Sequence, residues 1–205
     1  MIVIIVLVVV VGLLFMSSYN GLVRLRNRVD NAWAQIDVQL KRRHDLIPNL
    51  VETVKGYAAH ERGTFEAVTQ ARAAAQQAQG PAATGQAEGI LNQALGRLFA
   101  VAEAYPELKA SQNFLDLQGQ LRDTEDQVAV ARQVYNDTVL TYNNAIQTFP
   151  AAILANSFGF TKREFFEIED AADREVPQVS FAPDSSSTPA AGPPPTPSDA
   201  PGTSS

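Results

Sequence analysis

The sequence predicts an all-α protein: an N-terminal transmembrane helix, then an antiparallel up-and-down bundle of three to four long helices. Three observations predict it. Residues 1–16 are apolar throughout apart from Gly12. Between Tyr19 and Phe149 apolar side chains recur at alternating three- and four-residue spacings, the mark of a helical seam. No stretch keeps the strict alternation of a strand.

The opening run, MIVIIVLVVVVGLLFMSS, would span about 24 Å over its sixteen apolar residues at about 1.5 Å each. The hydrocarbon core is about 30 Å thick, and Ser17, Ser18 and Tyr19 can occupy the interface. No Lys or Arg precedes the run and no small-x-small cleavage site follows it, so residues 1–18 read as an uncleaved anchor rather than a signal peptide. Arg24, Arg26 and Arg28 lie just beyond it. The positive-inside rule then places the short N-terminus outside and the body in the cytoplasm, as for a single-pass protein of the inner membrane.

The first body helix is expected from Tyr19 to Gln79, with Leu22, Leu25, Val29, Trp33, Ile36, Leu40 and Ile47 on one stripe that continues to Phe65. Gly80-Pro81 gives a loop. A second helix is expected from Gly85 to Tyr105. The third begins at Pro106 and carries Phe114, Leu117, Leu121, Thr124, Val128, Ala131, Tyr135, Val139, Tyr142, Ile146 and Phe149 on its stripe. A short fourth segment follows Pro150. Thr161 and Glu164 then stand at capping-box spacing for one more helix. Residues 19–181 form the expected bundle. Seven of the twelve prolines fall within residues 182–205, which hold no apolar side chain larger than alanine. That tail cannot bury enough surface to offset its ordering entropy and is expected to be disordered.

Composition excludes several functions. The formal charge of -6 disfavours nucleic acid as a partner. The absence of cysteine removes thiolate ligands and thiol nucleophiles. No phosphate-binding glycine loop or G-x-S-x-G elbow is present. Only two histidines exist, His44 and His60. They lie about 24 Å apart on one straight helix, which argues against a shared metal. Neither a metal nor another cofactor is expected.

The candidate site is the run Lys41, Arg42, Arg43, His44, Asp45 with Pro48. His44 lies on the apolar stripe between Leu40 and Ile47. Asp45 lies about 100° round the helix and does not face it. A catalytic His-Asp dyad within the helix is therefore poor geometry. His44 is expected to be a core histidine satisfied between the first and third helices. Pro48 cannot donate to the His44 carbonyl, so the helix kinks or restarts near Asp45, and the freed carbonyl makes a polar notch. The acidic stretch from Glu164 to Glu175 reads as a solvated face that could also answer the basic run.

The segments YNGLVRLRNRVDNAWAQIDVQLKRRHDLIPNLVETVKGYAAHE and VYNDTVLTYNNAIQTFPAAILANSFGFTKREFFEIED resemble the LemA family of bacterial membrane proteins. RRHDLIPNLV, YNDTV and FPAAILA followed by FGF are its specific words. The resemblance covers nearly all of residues 1–181 and leaves out the Pro/Ser tail. It implies one N-terminal membrane helix, an external N-terminus and an up-and-down helical bundle. It carries no catalytic residues. Family genes often neighbour those of membrane metalloproteases, which implies a partner rather than an activity. The expected function is thus a membrane-anchored interaction module, a scaffold or adaptor for other membrane or envelope proteins, and not an enzyme. Its expected partners are the bilayer through residues 1–18, such proteins, and further copies of itself. The alternatives are an enzyme with a polar site around His44, or a homo-oligomer that shapes the membrane.

Overall fold

The computed structural model describes residues 1–168, all helix, turn or irregular chain. The stretch from Glu169 on, including the Pro/Ser tail, lies outside the described residues. Six helices follow in order: α1 (Ile2–Lys55), α2 (Arg62–Gln77), α3 (Pro81–Glu103), α4 (Pro106–Lys109), α5 (Gln112–Ala145) and α6 (Ala151–Phe158). The all-α architecture, with a long apolar helix leading into further helices, is as the sequence predicts.

α1 is continuous for 54 residues, about 81 Å at ~1.5 Å per residue. Its first sixteen residues expose almost every apolar side chain. From Leu22 onward one stripe is buried. The expected helix from Tyr19 to Gln79 is instead two helices, because the chain turns at Gly56–Glu61. Ala58, only 1% exposed, tucks the turn against the core. α2 then runs back along α1. The periodicity hid the turn because Val51, Val54, Ala58 and Phe65 all belong to one core.

α3 begins four residues before the expected Gly85. Gly80 adopts φ 82°, where a side chain would be strained, and Pro81 occupies the first turn. The expected third helix also divides, into α4 and α5, while its stripe is buried from Phe114 to Ile146. Phe149 departs from the stripe and is 83% exposed.

α1 and α5 are antiparallel and carry the fold between them. Far from the apolar N-terminus, α2, α3 and α4 complete one core around Ile47, Leu50, Val68, Leu91, Leu98 and Leu108. Nearer to it, α6 and the segment after it complete a second core around Ile36, Leu40, Val139, Tyr142 and Phe166.

That segment, residues 160–168, is the main departure from expectation. The capping box at Thr161 predicts a helix there, yet residues 161–168 are not helical. They form a strap across α5. Asn143 donates from Nδ2 to the Arg163 carbonyl (2.9 Å) and accepts the Arg163 N–H (2.9 Å). Asn136 does the same for Phe166, at 3.1 and 2.9 Å. Seven helical residues rise about 10.5 Å and three extended residues about 10 Å, so the two ladders match in pitch. Tyr135 and Tyr142 donate their hydroxyls to the Glu164 and Thr161 carbonyls, at 2.8 and 3.0 Å. α5 thus claims the strap backbone that a helix would have used. Phe166 lies against Trp33, which lies against Tyr135. The Glu167 carbonyl presses on α3 at Gly85, where an added Cβ would sit 2.0 Å from the oxygen. Gly85 is therefore a contact point, not a helix start.

Burial raises the Tyr135 pKa, opposed by the Arg163 charge, and burial likewise raises that of Tyr142. The unfolded phenol titrates near 10. The fold favours the protonated form, so this stabilisation is complete below pH 10 and is lost as pH climbs through the raised folded-state values. Denaturation midpoints between pH 8 and 11.5 should therefore be flat and then fall. Tyr135→Phe should lower the plateau by about 1 kcal/mol and flatten the alkaline fall. An unchanged fall would show that the strap tyrosines do not govern it.

Candidate functional site

The run at residues 41–45 divides by helical phase. Lys41, Arg42 and Asp45 face solvent, whereas Arg43 and His44 are buried. Both converge on Glu88 of α3, which is 0% exposed. The His44 Nε2 lies 2.6 Å from Glu88 Oε1; against a carboxylate oxygen, Nε2 carries the donated proton. Arg43 donates from Nη1 to Glu88 Oε2 at 3.4 Å and from Nη2 to Asn92 Oδ1 at 2.6 Å. The Arg43 Nε has no hydrogen-bond partner among the described residues.

His44 thus sits between α1 and α3, not between α1 and α5 as the sequence suggested. Of the basic run only Arg43 meets an acid among the described residues, and that acid is Glu88 rather than Glu164 or Glu167 of the strap. Glu88 itself was missed. Its signal was register: Thr84, Glu88, Leu91, Leu95 and Leu98 share one stripe of α3, and all are buried. An acid at a core position demands buried partners, and Arg43 supplies the cation while His44 supplies a second hydrogen bond.

Pro48 neither ends nor restarts the helix, since α1 runs through it. The His44 carbonyl, denied its helical donor, accepts from the Arg72 Nε of α2 at 2.7 Å. The notch is therefore filled from within the chain. Beside it, a cleft of about 460 Å³ is lined by Trp33, Asp37, Lys41, His44, Gln76 and Thr84, among others. His60 lies exposed in the turn after α1. Among the described residues no group of three or more His, Cys, Asp or Glu side chains could hold a metal ion.

Together these features define a class: a helical-bundle protein whose first helix is long and apolar enough to cross a membrane, with a buried charged cluster at its centre. Residues 32–181 match the LemA family. The chain is 28% identical over 193 residues to the magnetosome protein MamQ of Magnetospirillum gryphiswaldense, covering 80% of this chain and 71% of that one. It is 27% identical over 188 residues to the magnetosome protein MamQ 2 of Paramagnetospirillum magneticum, covering 78% and 69%. It is 26% identical over 136 residues to the protein LemA of Metamycoplasma hominis, covering 66% and 62%. The chain belongs to the LemA family.

Removing one partner from a buried ionic cluster costs about 3–5 kcal/mol. Glu88→Ala should lose that much in chemical denaturation of the detergent-solubilised chain. His44→Ala should lose at least about 1–3 kcal/mol, and the exposed Asp45→Ala should change stability by less than about 0.5 kcal/mol. Equal stability of all three would refute a structural cluster. A second test isolates the carbonyl. Arg72→Ala should cost about 1–3 kcal/mol by orphaning it. Pro48→Ala restores the native helical donor, so Pro48→Ala with Arg72→Ala should recover part of the loss; strict additivity would sink this account.

Proposed function

We propose that the protein is a membrane-anchored interaction module, a scaffold or adaptor of the bacterial cell envelope. In this reading residues 1–18 span the inner membrane, with the N-terminus outside and the body in the cytoplasm. The observation that carries it is the continuity of α1. One helix is exposed and apolar at its start and buried along one stripe afterwards. No flexible joint separates anchor from bundle, so the body stands at a fixed attitude to the bilayer. A rigid mount suits the presentation of surfaces to other membrane proteins.

The central cluster fits this reading better than a catalytic one. His44 is engaged on both sides, its ring by Glu88 and its carbonyl by Arg72, and Glu88 is held by Arg43 as well; a base so engaged must break a buried pair to act. The enzyme reading keeps one specific support, the cleft beside His44.

Affinity capture of the full chain from solubilised bacterial membranes separates the two. Arg42→Glu with Lys41→Glu changes only exposed charge, and should alter the set of co-purified membrane proteins while leaving the melting temperature unchanged. His44→Gln, which can keep a hydrogen bond to Glu88, should retain that set. Loss of a cellular phenotype in a stable His44→Gln variant with unchanged partners would favour the enzyme.

A further inference from the structure

Among the described residues, one long face of the α1–α5 pair has no other element over it: the groove there is lined by α1 and α5 alone. On the open side a groove of about 590 Å³ runs between α1 and α5. Ala34 and Val38 line it from α1, Val130 and Val134 from α5. Val38 is 62% exposed, Val130 65% and Val134 48%. Three bare valines in one groove, on a body otherwise patterned for helices, are a covered surface waiting for its cover. Gln39, in the same wall, holds a buried side-chain oxygen that no described residue satisfies.

Charge is unevenly shared between the two sides of this groove. On the α1 side Arg28 and Arg42 are exposed, with the acid Asp45 beyond Arg42; on the α5 side Asp123, Asp126 and Asp137 are exposed. None of these forms an ion pair among the described residues. Their heights match as well. Trp33 and Tyr135 are level, with ring centroids 5.4 Å apart. Counting equally up α1 and back down α5 brings Val38 level with Val130 and Arg42 level with Asp126. Counting the other way brings Arg28 level with Leu140, one helical turn from Asp137.

We propose that a second copy of this chain covers the groove, as a two-fold dimer whose axis runs along the bundle. This rests on the reading of residues 1–18 as the anchor, which gives both copies the same orientation on one membrane. A two-fold axis along the membrane normal keeps heights and exchanges sides. α1 of each copy then faces α5 of the other. Val38 meets Val130 of the second copy at the centre. Arg42 meets Asp126 above it, and Arg28 approaches Asp137 below it. Each contact occurs twice. A face mainly basic on one side and acidic on the other is complementary to itself under this operation, the Arg42 and Arg28 contacts outweighing the one level approach of Asp45 to Asp123, and it would repel itself if like sides met.

The chain has no native cysteine, so directed cross-linking is clean. Full-length Val38→Cys and full-length Val130→Cys, with different tags, are co-expressed and oxidised in isolated membranes. A disulfide-linked heterodimer carrying both tags is expected; no intrachain bond can mimic it. Pairing Val38→Cys with Ile90→Cys, exposed on α3, should give at least tenfold less. Arg42→Asp on the Val38→Cys copy should cut the yield severalfold, and Asp126→Arg on the other copy should restore it. A yield no greater than the Ile90 control, or no recovery on charge reversal, overturns the dimer. Membrane fractionation is read first. If the chain is extracted by alkaline carbonate, the anchor reading fails and the common orientation fails with it, by a readout separate from the cross-link.

Discussion

Two antiparallel helices cannot close a core. Each of α1 and α5 buries one stripe, and a pair alone leaves the flanks of both stripes wet. Everything else in the described chain answers this constraint. Far from the apolar N-terminus the α2–α3 hairpin and α4 supply the missing walls. Nearer to it, among the described residues, α6 with an extended strap does the same work. The two solutions differ in kind. A helix arrives with its backbone satisfied, whereas an extended strap brings bare N–H and C=O groups that need partners once buried.

The polar residues follow from that difference. Tyr135-Asn136 and Tyr142-Asn143 repeat at seven residues along α5 and supply donors and acceptors to the strap. The Asn carboxamide is a peptide group on a side chain, so it can both give and take with the same extended residue, as a neighbouring strand would. The hairpin needs no such ladder, and its polar contacts serve another end. Glu88 must meet Arg43 and His44 together, and Arg72 must reach the one carbonyl that Pro48 leaves open. A hairpin slipped by one turn would bury a carboxylate without a cation, a cost of several kcal/mol. An apolar seam of leucines and alanines has no such veto.

The sequence carried the fold class because heptad-like spacing and proline placement are local signals. Helix ends were less legible, and for a common reason. The turn at Gly56–Glu61 and the break before α5 each join helices that face the same core, so apolar spacing runs on across them. The strap was illegible by helix rules alone. Thr161 and Glu164 have the right spacing for a cap, but the donors that decide the outcome sit some twenty to thirty residues earlier on α5. The burial of His44 followed from its place on the stripe. Its partner did not, since Glu88 looks like any surface acid until α3 is started at Pro81 and the stripe through Thr84 and Leu91 is drawn. Pro48 was legible as a freed carbonyl, while the identity of its new donor depended on a turn the periodicity concealed.

The distribution of charge bears on function through what is engaged and what is left over. The inward-facing charges at the α1–α3 contact have been matched to one another, and an engaged base is a poor catalyst unless substrate can break its pair. The outward-facing charges beside the α1–α5 groove are unevenly shared, with Arg28 and Arg42 along one edge and Asp123, Asp126 and Asp137 along the other, although Asp45 interrupts the basic edge. Solubility alone needs no such sorting, for mixed charge serves it as well. A sorted edge has an orientation, and so does a body mounted on an unbroken helix. An unanchored bundle samples every attitude to a partner and gains little from a directional surface. With residues 1–18 as the proposed anchor, a body built on the same continuous helix would meet its neighbours in the membrane plane at nearly fixed height, and the proposed level match of valine to valine and arginine to aspartate would become a means of selection. In the proposed dimer the continuity of α1 and the charge of its flank act together: the first would fix the axis about which the second has meaning.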